Sequence, residues 1–185
     1  VIKEDKFNIK NKRDAAIFLD KKCKYFNVAH NIKSSGEFES FDCSTTPLTD
    51  DDLKYVAFFP ELSVLHVTGM GITDKSLEYL QDLTNIEGLT LYKTNITADG
   101  IRYLKRMVKL DVIDFQGSPI IDDGFKYLSE ITFQKPINQA DFSSTKITDE
   151  GLKYLSKIKF NGELRLKNTK ITDTGLKYLA NQTEL

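Results

Sequence analysis

The sequence predicts an α/β solenoid, a single domain of stacked strand-turn-helix units, and three observations carry that expectation. A nine-residue phrase recurs six times: LTDDDLKYV from Leu48, ITDKSLEYL from Ile72, ITADGIRYL from Ile96, IIDDGFKYL from Ile120, ITDEGLKYL from Ile147 and ITDTGLKYL from Ile171. The spacings are 24, 24, 24, 27 and 24 residues, a period at which one supersecondary unit is stacked on the next. Ahead of each phrase apolar residues alternate as in a short half-buried strand, and inside the phrase they change to helical spacing.

In chain order, residues 11 to 26 (NKRDAAIFLDKKCKYF) place Ala15, Ile17, Phe18, Leu19, Tyr25 and Phe26 on a pattern compatible with one amphipathic helix. A solenoid needs such an end cap to cover its first core layer, so residues 1–37 are expected to form an N-terminal helical cap and 38–185 six repeats. Strand positions ten, seven and five residues before each anchor hold Leu62, Leu65 and Val67; Ile86, Leu89 and Leu91; Leu110, Ile113 and Phe115; Ile137, Ala140 and Phe142. The first repeat offers Phe38, Phe41 and Cys43, and the sixth has Leu164 and Leu166, with Asn161 breaking the pattern. After each anchor, Thr-Asp or Ile-Asp stands where a helix N-cap belongs. Two apolar positions on one helical face follow, as in Leu77 with Leu80, so each helix is expected to run two to three turns.

The pattern LxxLxLxxTxITDxGLxxL resembles a leucine-rich repeat of the 24-residue GALA-type or cysteine-containing type. That resemblance covers residues 38 to 185. It implies a right-handed leucine-rich-repeat solenoid, with parallel strands on the concave face and helices on the convex face. Where the commonest repeats of that family carry Asn after the strand, this chain has Thr46, Met70, Thr94, Ser118, Thr145 and Thr169. A hydroxyl can bond the turn backbone as Asn would, but Met70 cannot, which makes its rung the weakest expected.

The bulk numbers exclude several classes. A net charge of −1 argues against a general nucleic-acid or membrane-surface binder. Residues 1 to 37 hold nine basic against five acidic side chains, a modest solvated excess. No stretch approaches the roughly 20 apolar residues of a membrane span, and no signal peptide is visible, although the Val1 start leaves a removed one open. The compartment therefore stays open, with a lean to the cytoplasm. Cys23 and Cys43 read as ordinary reduced thiols, Cys43 in the core. The sequons at Asn95 and Asn181 read as chance matches. Tyr55, Tyr79, Tyr103, Tyr127, Tyr154 and Tyr178, one per repeat, are expected to pack between helices with hydroxyls outward. The basic column Lys54, Arg102, Lys126, Lys153 and Lys177 reads as a solvated helix face.

The 27-residue step puts three extra residues around Phe133-Gln134-Lys135-Pro136, a longer loop that is expected to push Phe133 outward. Leu185 falls where a seventh repeat would begin, so the last strand is expected to leave an open edge through which a homodimer could form.

Strand residues facing away from the core form three columns. The first is Ser40, Val64, Gly88, Val112, Gln139 and Glu163; the second Asp42, His66, Thr90, Asp114, Asp141 and Arg165; the third Ser44, Thr68, Tyr92, Gln116, Ser143 and Lys167. These columns vary from rung to rung while the core repeats, as a partner-specific surface would. The expected patch is Val64, His66, Tyr92, Val112, Asp114, Gln116 and Asp141. Six strands about 4.8 Å apart give a projected face on the order of 300 Å², small beside the roughly 800 Å² per partner of a stable interface, so flanking loops should contribute.

Sharper chemistry ranks lower. Asp42, His66 and Thr90 lie in the order of a nucleophilic triad, but no cleft or Gly-rich turn supplies an oxyanion site. Asp114 and Asp141 supply too few oxygens for calcium, and no phosphate loop, zinc spacing or dinucleotide fingerprint is present. The leading expectation is a noncatalytic protein-interaction module for a protein or peptide, without cofactor or metal. The alternative, implied by the resemblance alone, is the substrate-recognition part of a ubiquitin-ligase adaptor or a bacterial effector. A hydrolase comes third.

Overall fold

The computed structural model describes residues 10–23 and 39–184. Among them the order is α1 (Lys12–Lys22), β1 (Ser40–Cys43), α2 (Asp50–Leu53), β2 (Val64–Thr68), α3 (Asp74–Leu80), β3 (Gly88–Tyr92) and α4 (Ala98–Ile101). There follow β4 (Val112–Asp114), α5 (Asp122–Ser129), β5 (Ile137–Asp141), α6 (Asp149–Leu155), β6 (Phe160–Arg165) and α7 (Asp173–Leu176). The strands form one parallel sheet in sequential order β1 to β6. Helices connect them, as parallel pairing demands. Three of the helices are shorter than the expected two to three turns, because α4 and α7 tighten into 3-10 turns at Arg102–Arg106 and Lys177–Leu179, and α2 is followed by one at Val56–Phe58.

One core runs the length of the stack. The anchors Leu48, Ile72, Ile96, Ile120 and Ile147 are buried, as are all twelve strand residues expected inward from Leu62 to Phe142. Phe142 packs with Phe115 and Phe125 at centroid distances of 6.0 and 5.1 Å. Tyr55, Tyr103, Tyr127 and Tyr154 are half-buried against the core, the interhelix packing their spacing predicts. Four members of the basic column are exposed on the helix face and Lys54 is half-buried, while Lys54, Arg102 and Lys153 pair with Asp51, Asp99 and Glu150 one turn away.

After each strand from β2 to β6 the chain reverses through one left-handed residue three positions before the anchor: Gly69, Lys93, Gly117, Ser144 and Asn168 all have φ between 51° and 113°. Below these turns the hydroxyl column works as expected at Thr94, Ser118, Thr145 and Thr169. Each of these hydroxyls donates to a strand carbonyl, and Thr94 and Ser118 bond each other at 2.8 Å. Met70 is 62% exposed, but its carbonyl accepts from Asn95 Nδ2 at 2.7 Å, so the next repeat supports the rung that lacks a hydroxyl.

A second inter-repeat device runs along the helix starts. Asp50 accepts the N–H and hydroxyl of Thr73 at 2.8 and 2.7 Å, and the hydroxyl of Ser76. Asp74 does the same for Thr97, Asp122 for Thr148 together with the Gly151 N–H, and Asp149 for Thr172. Each Thr also caps its own helix. At three of these junctions a glycine leaves room for the carboxylate, because a Cβ at Gly100, Gly151 or Gly175 would overlap the carboxylate oxygen of the preceding repeat as placed. Ser76 occupies the equivalent place and donates instead. The series skips one junction, where Ala98 replaces Asp and Ile121 replaces Thr, so both partners of that latch are lost together.

Four expectations need correction. Cys23 and Cys43 form a disulfide with Cα atoms 5.5 Å apart; the helix following residue 11 and the first strand converge, a contact that spacing alone does not encode. Ile17 is exposed, whereas Ala15 and Leu19 carry the inward face of α1; Tyr25, Phe26 and Phe38 lie outside the described residues. Phe133 is not pushed outward: it is half-buried on the core, and Gln134 N–H donates to Val108 O at 2.8 Å. The inserted Lys135 reaches Asp111 at 3.6 Å. Finally, Asn161 does not break the core of the sixth repeat, because Phe160 pairs with Ile137 and a one-residue bulge restores the register at Glu163 opposite Gln139. Gly162 sits in that bulge, where a Cβ would overlap the Asn138 carbonyl.

Candidate functional site: the outer sheet face

Parallel register assembles the three columns as the sequence ordered them. Val64, Gly88, Val112, Gln139 and Glu163 are successive partners, as are Asp42, His66, Thr90, Asp114, Asp141 and Arg165, and Thr68 is level with Tyr92. Val64, His66, Tyr92, Val112, Asp114 and Gln116 are all half-buried on this face. Gly88 leaves a dip that the Val64 methyls border, so the two valines and Tyr92 offer apolar surface around a shallow floor. Lys93 Nζ lies 4.8 Å from the Tyr92 ring centroid, a cation-π contact that holds the ring's orientation. Asp141 is the exception. It is buried and engaged by the Ser143 N–H and by Arg165 Nη1 at 3.8 Å, so it gives a partner charge but little contact area.

The aspartates of the second column have a local duty the sequence reading missed. Asp42, Asp114 and Asp141 each accept the backbone N–H two residues on, from Ser44, Gln116 and Ser143, all at 2.9 Å. Such Asx turns end the strand and open the loop. The available signal was an Asp recurring two residues before a polar residue at a strand end. Burial pushes the Asp114 carboxyl above its ordinary range; the Gln116 N–H opposes this, Asp141 adds to it, and His66 and Arg165 offset it. A cationic group arriving at Asp114 would relieve that penalty. At the far end Arg165 is clamped by both Glu163 oxygens at 2.6 and 2.7 Å, so its charge is largely spent within the sheet.

The triad order is not a wired triad. No hydrogen bond joins His66 to Asp42 or Thr90 among the described residues, and Asp42 serves its own turn. Asp114 and Asp141 are neighbours in register, yet no group of three or more His, Cys, Asp or Glu side chains among the described residues could hold a metal ion.

A family model described as "Leucine Rich repeat" matches residues 141–156 and 163–180. Those two stretches carry the leucine-rich-repeat signature, in the fifth and sixth repeats. The match is to the family at large and does not distinguish the GALA type. No curated protein matches the sequence significantly. Among solved structures, the repeats resemble an internalin, inlF, of Listeria monocytogenes: TM-score 0.54, 19% identity, 71% of this chain and 36% of that one. They also resemble the ectodomain of the Arabidopsis thaliana receptor kinase GASSHO1/SCHENGEN3, solved in complex with Casparian Strip Integrity Factor 2: TM-score 0.50, 14% identity, 88% of this chain and 19% of that one. The chain thus spans about a third or less of these neighbours, and the likeness is one of fold. Leucine-rich repeats generally serve protein-protein interaction and are typically non-enzymatic. No helix among the described residues is long and apolar enough to cross a membrane.

Proposed function

We propose that this leucine-rich-repeat protein binds a protein or peptide noncatalytically through the outer sheet face and its flanking loops. The observation that carries the reading is the contrast between an invariant core and helix start on one side and a rung-by-rung varied, half-buried face on the other. The partner chemistry follows from that face: an apolar group seated on Val64, Val112 and Tyr92 over Gly88, and a basic group directed at Asp114 beside Asp141. The receptor-kinase neighbour, solved with a bound factor, supports a binding role by analogy of fold.

The Cys23–Cys43 bridge favours an oxidising compartment. It weighs against the ubiquitin-ligase adaptor, which would work among reduced thiols, and leaves the bacterial effector as the second reading.

The test compares affinity capture by the wild type and by a variant carrying His66→Ala, Tyr92→Ala and Asp114→Asn, chosen because Asn keeps the acceptor of the Asx turn. Capture lost with the variant while its melting curve is unchanged supports the face. Equal capture moves the site to the helix side.

A further inference from the structure

The middle of the outer face offers a partner side chains and no backbone. Strands β2 to β5 are each paired on both sides, so an incoming segment cannot add there as a further strand, which needs an unpaired edge. The third rung is the lowest point of the face. Gly88 has no side chain, the Val64 methyls stand 3.6 Å from where its Cβ would be, and Val112 is its register partner on the other side. Thr90 and Tyr92 continue the same rung.

Carboxylates flank this dip along the second column. Asp42 lies two rungs to one side, and Asp114 and Asp141 lie one and two rungs to the other. In Asp42 and Asp114, Oδ1 accepts the Asx-turn N–H, and Oδ2 has no hydrogen-bond partner among the described residues.

A segment crossing the strands must set side chains down at the spacing of these features, two rungs or about 9.6 Å. An extended strand returns a side chain to the same face every second residue, about 6.6 Å, which falls between rungs. A polyproline II helix returns one every third residue and rises about 3.1 Å per residue, giving about 9.3 Å. Its backbone makes no internal hydrogen bonds, so its carbonyls need donors. The His66 ring and the Thr90 and Tyr92 hydroxyls stand along that path, and none of them hydrogen-bonds to another group among the described residues.

Taking the outer face as the binding surface, we propose that its occupant is a polyproline II segment of a partner protein, crossing the stack with one apolar residue on Gly88 and a basic residue three positions to either side. One basic group meets Asp42, and the other falls between Asp114 and Asp141. Acidic flanks would oppose those carboxylates, and Arg165, already clamped by Glu163, would do little to offset them.

The test uses blocked, fluorescein-labelled peptides in which a central leucine has a lysine two, three or four residues to each side and proline everywhere between. Anisotropy with the full chain should show the three-residue spacing binding about tenfold more tightly than either other, the scale of one charge-assisted hydrogen bond. Glutamate in place of both lysines should abolish binding. Gly88→Val fills the dip with a residue that suits a strand, and Gly88→Ala is the milder filling, its Cβ at ordinary contact distance from Val64. Either should leave the melting curve unchanged or raised and weaken the three-residue peptide at least about fourfold, the scale of one displaced methylene. Asp42→Asn, which keeps the turn acceptor, should weaken that peptide and leave the other two unchanged.

No binding by the unaltered chain, equal affinity for all spacings, or affinity untouched by both Gly88 variants would each overturn the proposal. So would a preference for the two-residue spacing, which belongs to an extended strand. Capture with the triple variant then separates the causes. If that variant still loses its partner, the polyproline period is wrong and the face stands; if capture is equal, the face itself is wrong.

Discussion

At the residue scale, the latch predicts a measurable coupling between repeats. Gly100→Ala should destabilise the fold by about 1–3 kcal/mol, the range for overpacking, because the added methyl displaces the Asp74 carboxylate from Thr97. In an Asp74→Ala background the same change should cost far less, and a double-mutant cycle by chemical denaturation reads the difference. Asp50 adds a pH dependence. Burial raises its pKa, but the hydroxyls of Ser76 and Thr73 and their backbone N–H groups together hold it below the ordinary carboxylate range. The folded value is the lower one, so the stabilisation is present above the unfolded pKa of about 4. It is lost as pH falls through the folded value. Asp50→Asn should therefore flatten the acid limb of a stability-pH curve, and an unchanged limb would discount the latch. Ser144 illustrates a cost built into the turns: its φ of 57° is left-handed, so Ser144→Gly should raise stability by about 0.5–1 kcal/mol in thermal melts.

At the element scale, the N-terminal helix and its bridge govern how the first repeat ends. The bridge spans 20 residues of sequence, and closing a loop of that size contributes about 3 kcal/mol in the chain-entropy account. Cys23→Ser with Cys43→Ser, or reduction of the wild type, should lower the melting temperature and raise exchange in α1 first. Strands, helix starts and face columns were legible from the sequence because a repeated phrase reports the same local environment six times, so each position is read against five copies. Features that occur once were not legible. The disulfide depends on where an unrepeated helix docks, the inward turn of Phe133 on an insertion found in one repeat, and the bulge at Gly162 on a one-residue slip beside Phe160. Of the expected face patch, the placement of Val64, His66, Tyr92, Val112, Asp114 and Gln116 was legible through strand alternation. The burial of Asp141 was not, since it follows from Arg165 and Ser143 closing around it.

At the scale of the whole molecule, the stack should not be uniformly stable. Each repeat rests on its neighbours, and in the sixth Leu164, Leu166 and Ile171 are only half-buried and Leu176 is exposed, so its amides from Leu164 to Leu179 should exchange before those of repeats two to five. Uniform protection along the chain would contradict that order. The Asp-to-Thr latch also makes repeats directional parts with typed ends, and this governs which deletions the gene could tolerate. Removing residues 97–120 joins an Asp end to an Ile start and strands Asp74. Removing residues 98–121, a cut of the same 24-residue length moved by one codon, fuses Thr97 to Asp122 and writes the phrase ITDDGFKYL, with every remaining latch matched. The Ala98–Ile121 pair, which lacks the latch, would then be excised as a unit, leaving a five-repeat protein in which every junction carries it.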